Sequence, residues 1–377
     1  MSTAVRVLVA PKDENPYQQF LYKEATVAGA DICFEQGPSK SQTLNLLLAP
    51  VMLVRYRVRG YRILHIHWIF QFSLPWARRA ATARRVMQWW FWFYLWWAKR
   101  LGFRIVWTAH DLLPHDQVFF DDSQARQYLI GRSDVVIALS SASAAQLAAL
   151  GATDVQVIPF GSYAQPYPRT LGRKEARGKL GLGPEDVAVL LIGKIERYKG
   201  ADLLLEAATA LPVSSPVKVV VAGACNDPEY RATLFELALR AGPRAVVRLE
   251  RIPDEEMAAY LDAADFAAFP FRSVTNSSSV LLAQSFGLPV LIPNLESLSD
   301  VPEESALRYD PFEQGLGRAL KRAAELSEEL RNDMGRAARR HADSMDWPTV
   351  AHLHLAVYAR LLGLGPDRAD RGHAHSD

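Results

Sequence analysis

Lys194 and Lys199 share one short turn, opened by Gly193 and closed by Gly200. The turn follows an apolar run, Val187 to Ile192, and leads into a segment whose apolar residues (Leu203, Leu204, Leu205, Ala207, Ala208) repeat with helical spacing. Strand, glycine turn, helix is the geometry that brings backbone N–H groups and a helix N-terminus to one edge of a parallel sheet. Two added cations suit a diphosphate at that edge, although spacing alone fits a ligand-free lysine turn equally well. A second anion-binding pattern lies downstream. Asn276, Ser277, Ser278 and Ser279 precede a helix that Gly287 ends. Capping needs only one of these side chains, so the remaining hydroxyls and free N–H groups suit phosphate.

Other chemistry-bearing residues cluster in the first half. His110 and Asp111 follow the strand-like run FRIVWT, where a neighbouring His–Asp pair can do acid–base work or orient a hydroxyl. The run RILHIHW alternates, placing His65 and His67 on one face with His67 at the C-terminal end. An H-x-H pair can hold a metal, but no third ligand is evident, and no metal is expected. The loop after the first strand (Val5 to Ala10) carries Asp13, Asn15 and Gln18. As the first βα loop of a doubly wound sheet it belongs at the ligand edge, unless it is simply a solvated loop.

The elements that must position these groups alternate β and α along the whole chain. Its 377 residues suffice for two domains. A net charge of +2 argues against a dedicated nucleic-acid binder, so no nucleic-acid partner is expected. Cys33 and Cys225 are the only cysteines, which excludes a disulfide framework and fits a reducing compartment. The N-terminus reads as a first strand rather than a signal peptide, and no apolar run reaches about 18 residues. VIPFGSYAQPYPRT reads as the end of the first half and a linker. The expected organisation is 1–162 with a returning helix at 347–363, a linker at 163–175, a second domain at 176–346 and a disordered tail at 364–377.

One stretch is compositionally unusual. Five of the nine tryptophans (Trp89, Trp90, Trp92, Trp96 and Trp97) lie between Arg78, Arg79, Arg84 and Arg85 on one side and Lys99, Arg100 and Arg104 on the other. Aromatic residues favour the headgroup level of a bilayer and flanking cations attract anionic lipid, so this reads as an interfacial helix on a membrane surface. A core helix or dimer face is the alternative.

With these motifs assembled, the chain resembles the GT-B glycosyltransferases over nearly its whole length, in particular the retaining family of bacterial envelope mannosyl- and glucosyltransferases. GKIERYKGADLLLEA is similar to that family's Gly-Arg…Lys-Gly turn, with Lys194 in place of the usual arginine. VVVAG ending at Gly223 and the RIPDEE segment around Ile252 look like the parts that flank the nucleoside. VWTAHDLLPH resembles its sugar-contacting histidine motif. The resemblance implies an α/β fold of two facing Rossmann-like domains with a C-terminal helix crossing back. The donor would be a UDP- or GDP-hexose on the second domain, with no metal cofactor. Its diphosphate would be gripped by Gly193, Lys194, Lys199 and the Asn276–Ser279 run, and the hexose would lie near His110. Asp13, Asn15, Gln18 and His67 would meet a glycan acceptor, and Asp13 or Asp111 would be the base if the reaction inverts. A lipid-linked acceptor would explain the tryptophan helix, with the protein cytoplasmic and peripheral on the inner face of the plasma membrane, in exopolysaccharide or envelope glycan synthesis. One departure stands out. The family's two glutamates, with seven residues between them in that segment, are replaced by Val274 and Leu282. Two other readings remain: a sugar-phosphate phosphorylase or epimerase on the same architecture, and a non-catalytic membrane-docking subunit.

Overall fold

A computed structural model describes residues 5–364, apart from 14, 38, 75, 76, 78, 79, 114–116, 164–166, 168 and 313. The expected tail beyond Leu364 and the flanking Arg78 and Arg79 therefore lie outside the described residues. The chain divides into two compact units, residues 1–161 with 347–377, and residues 162–346.

The first unit begins β1 (Arg6–Ala10), α1 (Pro16–Val27), β2 (Asp31–Phe34), α2 (Gln42–Val58), β3 (Ile63–Ile66), α3 (Ala81–Arg100) and β4 (Arg104–Ala109). It continues α4 (Asp122–Arg132), β5 (Val135–Ala138), α5 (Ser141–Ala149) and β6 (Val155–Val157). The strands form a parallel sheet in the order β2-β1-β3-β4-β5-β6. The central runs VLVA and ILHI are buried on both faces, as a sheet covered by helices on each side requires. The order reverses beside β1, so the loops after β1 and β3 open at a switch point, where such sheets hold ligands.

The second unit contains α6 (Arg173–Lys179), β7 (Val187–Ile192), α7 (Ala201–Thr209), β8 (Val217–Ala222), α8 (Pro228–Ala241), β9 (Ala245–Arg248), α9 (Asp254–Ala263), β10 (Phe266–Ala268) and α10 (Ser278–Ser285). It is completed by β11 (Val290–Pro293), β12 (Ala306–Tyr309), α11 (Gly315–Glu325) and α12 (Glu328–Asp343). Its sheet is also parallel, in the order β12-β11-β10-β7-β8-β9. The final helix, α13 (Trp347–Leu361), belongs to the first unit and packs on α1.

Two differences from the sequence-based layout have clear causes. The second unit takes in Ser162 onward, and the segment 163–175 ends inside α6. Arg173 and Arg177 bind Asp265, whose carboxylate also accepts from the Ala188 amide at 2.8 Å, so α6 is fastened to the second sheet. β2 (DICF) and β12 (ALRY) carry no long apolar run, because each lies at a sheet edge where one flank stays unpaired.

α3 buries one face in the core through Met87, Phe91, Tyr94, Leu95 and Ala98, a regular helical repeat. The continuous apolar composition arises because a second face is apolar too. Val86, Trp89, Phe93 and Trp96 remain exposed at the same i, i+3, i+7, i+10 spacing. Trp90, Trp92 and Trp97 are half-buried, and the Trp97 indole N–H donates to the Pro50 carbonyl of α2 at 3.0 Å. Among the described residues no helix is long and apolar enough to cross a membrane.

Candidate functional site

In the second unit, the turn after β7 converges with the start of α10. Gly193 adopts φ of +114°, and a Cβ there would lie 3.7 Å from Lys199 Nζ and 3.9 Å from Ser279 Oγ. An ammonium, a hydroxyl and a bare glycine backbone thus surround one small space. Gly223 closes its side: its φ is +145°, and a Cβ there would overlap the Gly193 carbonyl oxygen, so only glycine lets the β7 and β8 loops touch. Ser277 caps α10 by accepting from the Val280 amide, which leaves Ser278 and Ser279 in the first turn with Asn276 just ahead. The helix dipole therefore acts in the same direction as Lys199. Burial lowers the Lys199 pKa, partly offset by Glu196 and reinforced by Lys194. An anion placed here would relieve that cost.

Lys194 is exposed and paired with Glu196. Its arm must leave that carboxylate to reach a ligand. Ile252 is buried in the core beside Tyr260 and Leu261, so its side chain supports the fold and only its backbone can face a base. Arg272, which the sequence does not single out, grips Asp202 through two nitrogens at 2.9 and 2.5 Å and donates to the Arg197 carbonyl. It ties the loop after β10 to the lysine turn.

In the first unit, His67 and His110 follow β3 and β4 directly. His67 Nδ1 and His110 Nε2 share a hydrogen bond of 3.0 Å. The Tyr22 hydroxyl joins His67 Nε2 (2.6 Å) to His65 Nδ1 (2.8 Å). His65 also meets the Tyr358 hydroxyl at 2.6 Å and Thr108 Oγ1 at 2.8 Å. Burial, then His354, pushes the His110 pKa down to about 3, and burial drives His65 and His67 well below the ordinary histidine range. Every ring in this chain is neutral at physiological pH, so each donates through one nitrogen and accepts through the other. The chain is therefore directional: the Tyr22 proton decides which His110 nitrogen carries hydrogen. At such a pKa His110 is a poor base, and its neutral ring can serve only as a hydrogen-bonding group. Its ring stacks on Trp68, with centroids 4.3 Å apart. Because the nitrogens of His65 and His67 already meet hydroxyls and His110, the H-x-H pair forms no metal cluster. Among the described residues no group of three or more His, Cys, Asp or Glu is arranged to hold a metal ion.

The remaining first-unit candidates have structural work. Asn15 caps α1 by accepting from the Tyr17 amide at 2.9 Å. Gln18 is fully buried, accepting from the Asp13 amide and donating to the Pro11 carbonyl. The Asp13 carboxylate accepts from the Asn15 amide and from Gln71. These three form the scaffold of the loop after β1, and Asp111 is exposed. Tyr22, Tyr358 and Tyr17 belong to the same buried network as His65 but carry no local motif. The period-two alternation in LHIH signals His65, whereas the tyrosines come from α1 and α13, distant in sequence.

Two parallel six-stranded Rossmann-like units give this chain the GT-B fold, and two stretches of it match glycosyltransferase family models. Residues 172–341 match the family described as glycosyl transferases group 1, and residues 86–161 match the glycosyl transferase 4-like domain. A curated relative, the D-inositol 3-phosphate glycosyltransferase of Segniliparus rotundus, is 29% identical over 296 residues, covering 72% of this chain and 65% of its own length. The chain thus spans slightly under two thirds of that relative. The GDP-mannose:glycolipid 4-beta-D-mannosyltransferase of Xanthomonas campestris is 31% identical over 186 residues, 48% of this chain and 51% of that protein. The solved structure of Anabaena HepE in complex with UDP superposes with a TM-score of 0.70 at 16% identity, covering 95% of this chain and 100% of that one. At that identity it supports the fold.

Proposed function

We propose that this protein moves a hexose from a UDP- or GDP-sugar to a glycan acceptor at an anionic membrane surface. The observation that carries the donor half is the convergence of Gly193, Lys199 and Ser279 on one space at a helix start. In the transition state negative charge builds on the leaving diphosphate. Lys199, the α10 N-terminus and Lys194, once swung from Glu196, stabilise it, and no divalent metal is required. The second unit's Gly193–Gly223 contact holds the β7 and β8 loops beside the nucleoside, with the backbone near Ile252 along the base. Neutral His110 hydrogen-bonds the hexose, which fits a retaining outcome. A thermal-shift screen against UDP, GDP, ADP and dTDP without added metal tests this: one nucleoside diphosphate stabilises the protein, and no shift with any of them overturns the reading.

The membrane half rests on two parallel apolar stripes. Besides Val86, Trp89, Phe93 and Trp96 on α3, α2 exposes Leu44, Leu47, Val51, Val54 and Val58 at heptad spacing. Trp97 bridges the two helices, and Arg55, Arg59, Arg85 and Arg100 stand exposed on the same helices. Apolar stripes accompanied by exposed cations fit an anionic interface, and a lipid-linked acceptor in envelope or exopolysaccharide synthesis would meet the enzyme there, on the cytoplasmic face of the plasma membrane. Replacing Leu47, Val51, Trp89 and Phe93 by Ser is expected to abolish flotation with vesicles containing phosphatidylglycerol while keeping the nucleotide-induced thermal shift. Unchanged flotation would remove the membrane from the proposal.

A further inference from the structure

Lys199 in the turn after β7 and Ser279 in the first turn of α10 both stand beside Gly193. An ammonium and a helix N-terminus carry charge of the same sign, so without an anion between them they repel each other. Something must hold them against that repulsion. The loop after β10, which runs on into Asn276–Ser279, is fastened to the lysine turn at Arg272. Its amide donates to the Tyr198 carbonyl at 2.8 Å, and the rings of Phe271 and Tyr198 stack beside this bond. Gly200 packs so closely on the Pro270 carbonyl that a Cβ would overlap it. The Arg272 guanidinium adds a link of another kind: it donates to the Arg197 carbonyl at 2.7 Å and grips both oxygens of Asp202. Residues 197 and 202 lie on either side of Lys199 in the chain. One planar group therefore fixes both ends of the segment that carries the lysine. Asp202 is braced from behind as well, by the Tyr230 hydroxyl at 2.7 Å, and it stands in the first turn of α7, where an anion is favoured. Burial opposes its ionisation, but the bonds from Arg272 and Tyr230 outweigh burial and lower its pKa. The grip thus stays charged through the neutral range, while the pair adds no net charge to the site.

We propose that Arg272, acting through Asp202, is a positioning residue for the donor: it presets the Lys199 segment against the start of α10, so that a diphosphate meets both groups already in place. The proposal rests on the donor reading of this site and names a residue that acts through others. Preset groups bind without the cost of ordering them, and they stabilise developing charge without rearranging as it forms. Arginine suits this task better than lysine. Its fork reaches a carbonyl and a carboxylate at once, whereas an ammonium acts as a point charge. Replacing the guanidinium leaves the Arg272 amide bond, the ring stack and the Gly200–Pro270 contact in place. The two loops then stay joined at one point while the Lys199 segment is freed, which is the condition for losing position without losing the fold.

The test is titration calorimetry with UDP and GDP, with uridine and guanosine followed by saturation-transfer NMR as phosphate-free comparisons. Arg272→Met is expected to weaken binding of the preferred diphosphate by about tenfold and to leave the matching nucleoside unaffected. Asp202→Asn breaks the same grip from the other side and should reproduce the loss, and the double variant should be no worse than either single one. Arg272→Lys should recover only part of the affinity. Lys199→Ala should cost much less in the Arg272→Met background than in the wild type, because a displaced ammonium contributes little. A brace that serves folding alone would lower the melting temperature without this non-additivity. Four results each overturn the proposal: wild-type affinity in Arg272→Met, equal losses of nucleoside and diphosphate, additive losses with Lys199→Ala, or failure of both Arg272→Met and Asp202→Asn to fold. Absence of diphosphate binding by the wild type would instead overturn the donor reading on which it rests.

Discussion

Lys199→Ala is expected to lower sugar transfer by about a hundred- to a thousandfold without lowering the melting temperature. The loss follows from position. Lys199 Nζ and Ser279 Oγ flank the bare backbone of Gly193, where the diphosphate of a leaving nucleotide would acquire charge. Removing one preorganised donor from such a place typically costs two to three orders of magnitude in rate, roughly 2.7–4 kcal/mol of transition-state stabilisation. The absence of a stability cost follows from the same burial. The Lys199 pKa is lowered because its ammonium is desolvated, with Lys194 adding repulsion and Glu196 only partly compensating. Alanine removes a charge that the unliganded fold holds at a disadvantage. Single-turnover transfer measured beside thermal unfolding separates the two effects. A variant that transfers at the wild-type rate would show that the phosphate lies elsewhere, and one that melts markedly earlier would show that Lys199 is a structural brace.

The second large effect concerns Glu35 and is read in stability rather than rate. Desolvation raises its pKa from 4.5 to about 7, only partly opposed by the Tyr94 hydroxyl. The titratable groups near it are Tyr94 on α3 and Tyr56 on α2. Between those two pH values the folded protein binds more protons at this site than the unfolded chain does. Stability therefore falls as pH rises through the window, and the full cost is present above about 7. A shift of about 2.5 pH units corresponds to roughly 3 kcal/mol. Glu35→Gln, which cannot ionise, should gain up to that amount relative to the wild type at pH 8 and nothing at pH 4. Urea unfolding at the two pH values measures it. Equal differences at both would mean that Glu35 is ordinarily hydrated and its carboxylate bears no strain.

The two turns read as candidate anion sites were legible in the chain because glycine, lysine and serine act there through local spacing. Gly193, Lys199 and Ser277 to Ser279 sit on loops whose neighbours in sequence are also their neighbours in space, and the structure brings them together. His67 and His110 were legible for the same reason, at strand ends. Their chemistry was not. That His110 is a neutral hydrogen-bonding group follows from burial among Tyr17, Phe160 and Trp68, which no spacing encodes. The loop residues Asp13, Asn15 and Gln18 look functional by type, and in the structure they are also hydrogen-bonded within the turn. Glu35 was hidden because β2 is a four-residue edge strand with no strong pattern. The available signal was an acid directly after a short β-prone run, with Gly37 two residues on. The tryptophan helix was half legible. Its composition shows too much apolar surface for one face, but only packing shows that Met87, Phe91, Leu95 and Ala98 take the core side. The matching stripe on α2 is spread across a helix whose exposed and buried apolar residues look alike in sequence.

The returning helix has a consequence for the order of events in synthesis. Tyr358 supplies a hydroxyl to His65, and His354 meets Tyr17 at 3.4 Å, so residues made after the second unit complete a hydrogen-bond network whose other members are made before it. While the ribosome is still translating the second unit, His65 and Tyr17 lack these partners and the α1 surface that α13 will cover is open. The first unit is therefore obliged to wait, half-finished, for the second to emerge. Its consolidation can only follow synthesis of the second unit, and a nascent chain stalled before Trp347 leaves that face of α1 uncovered.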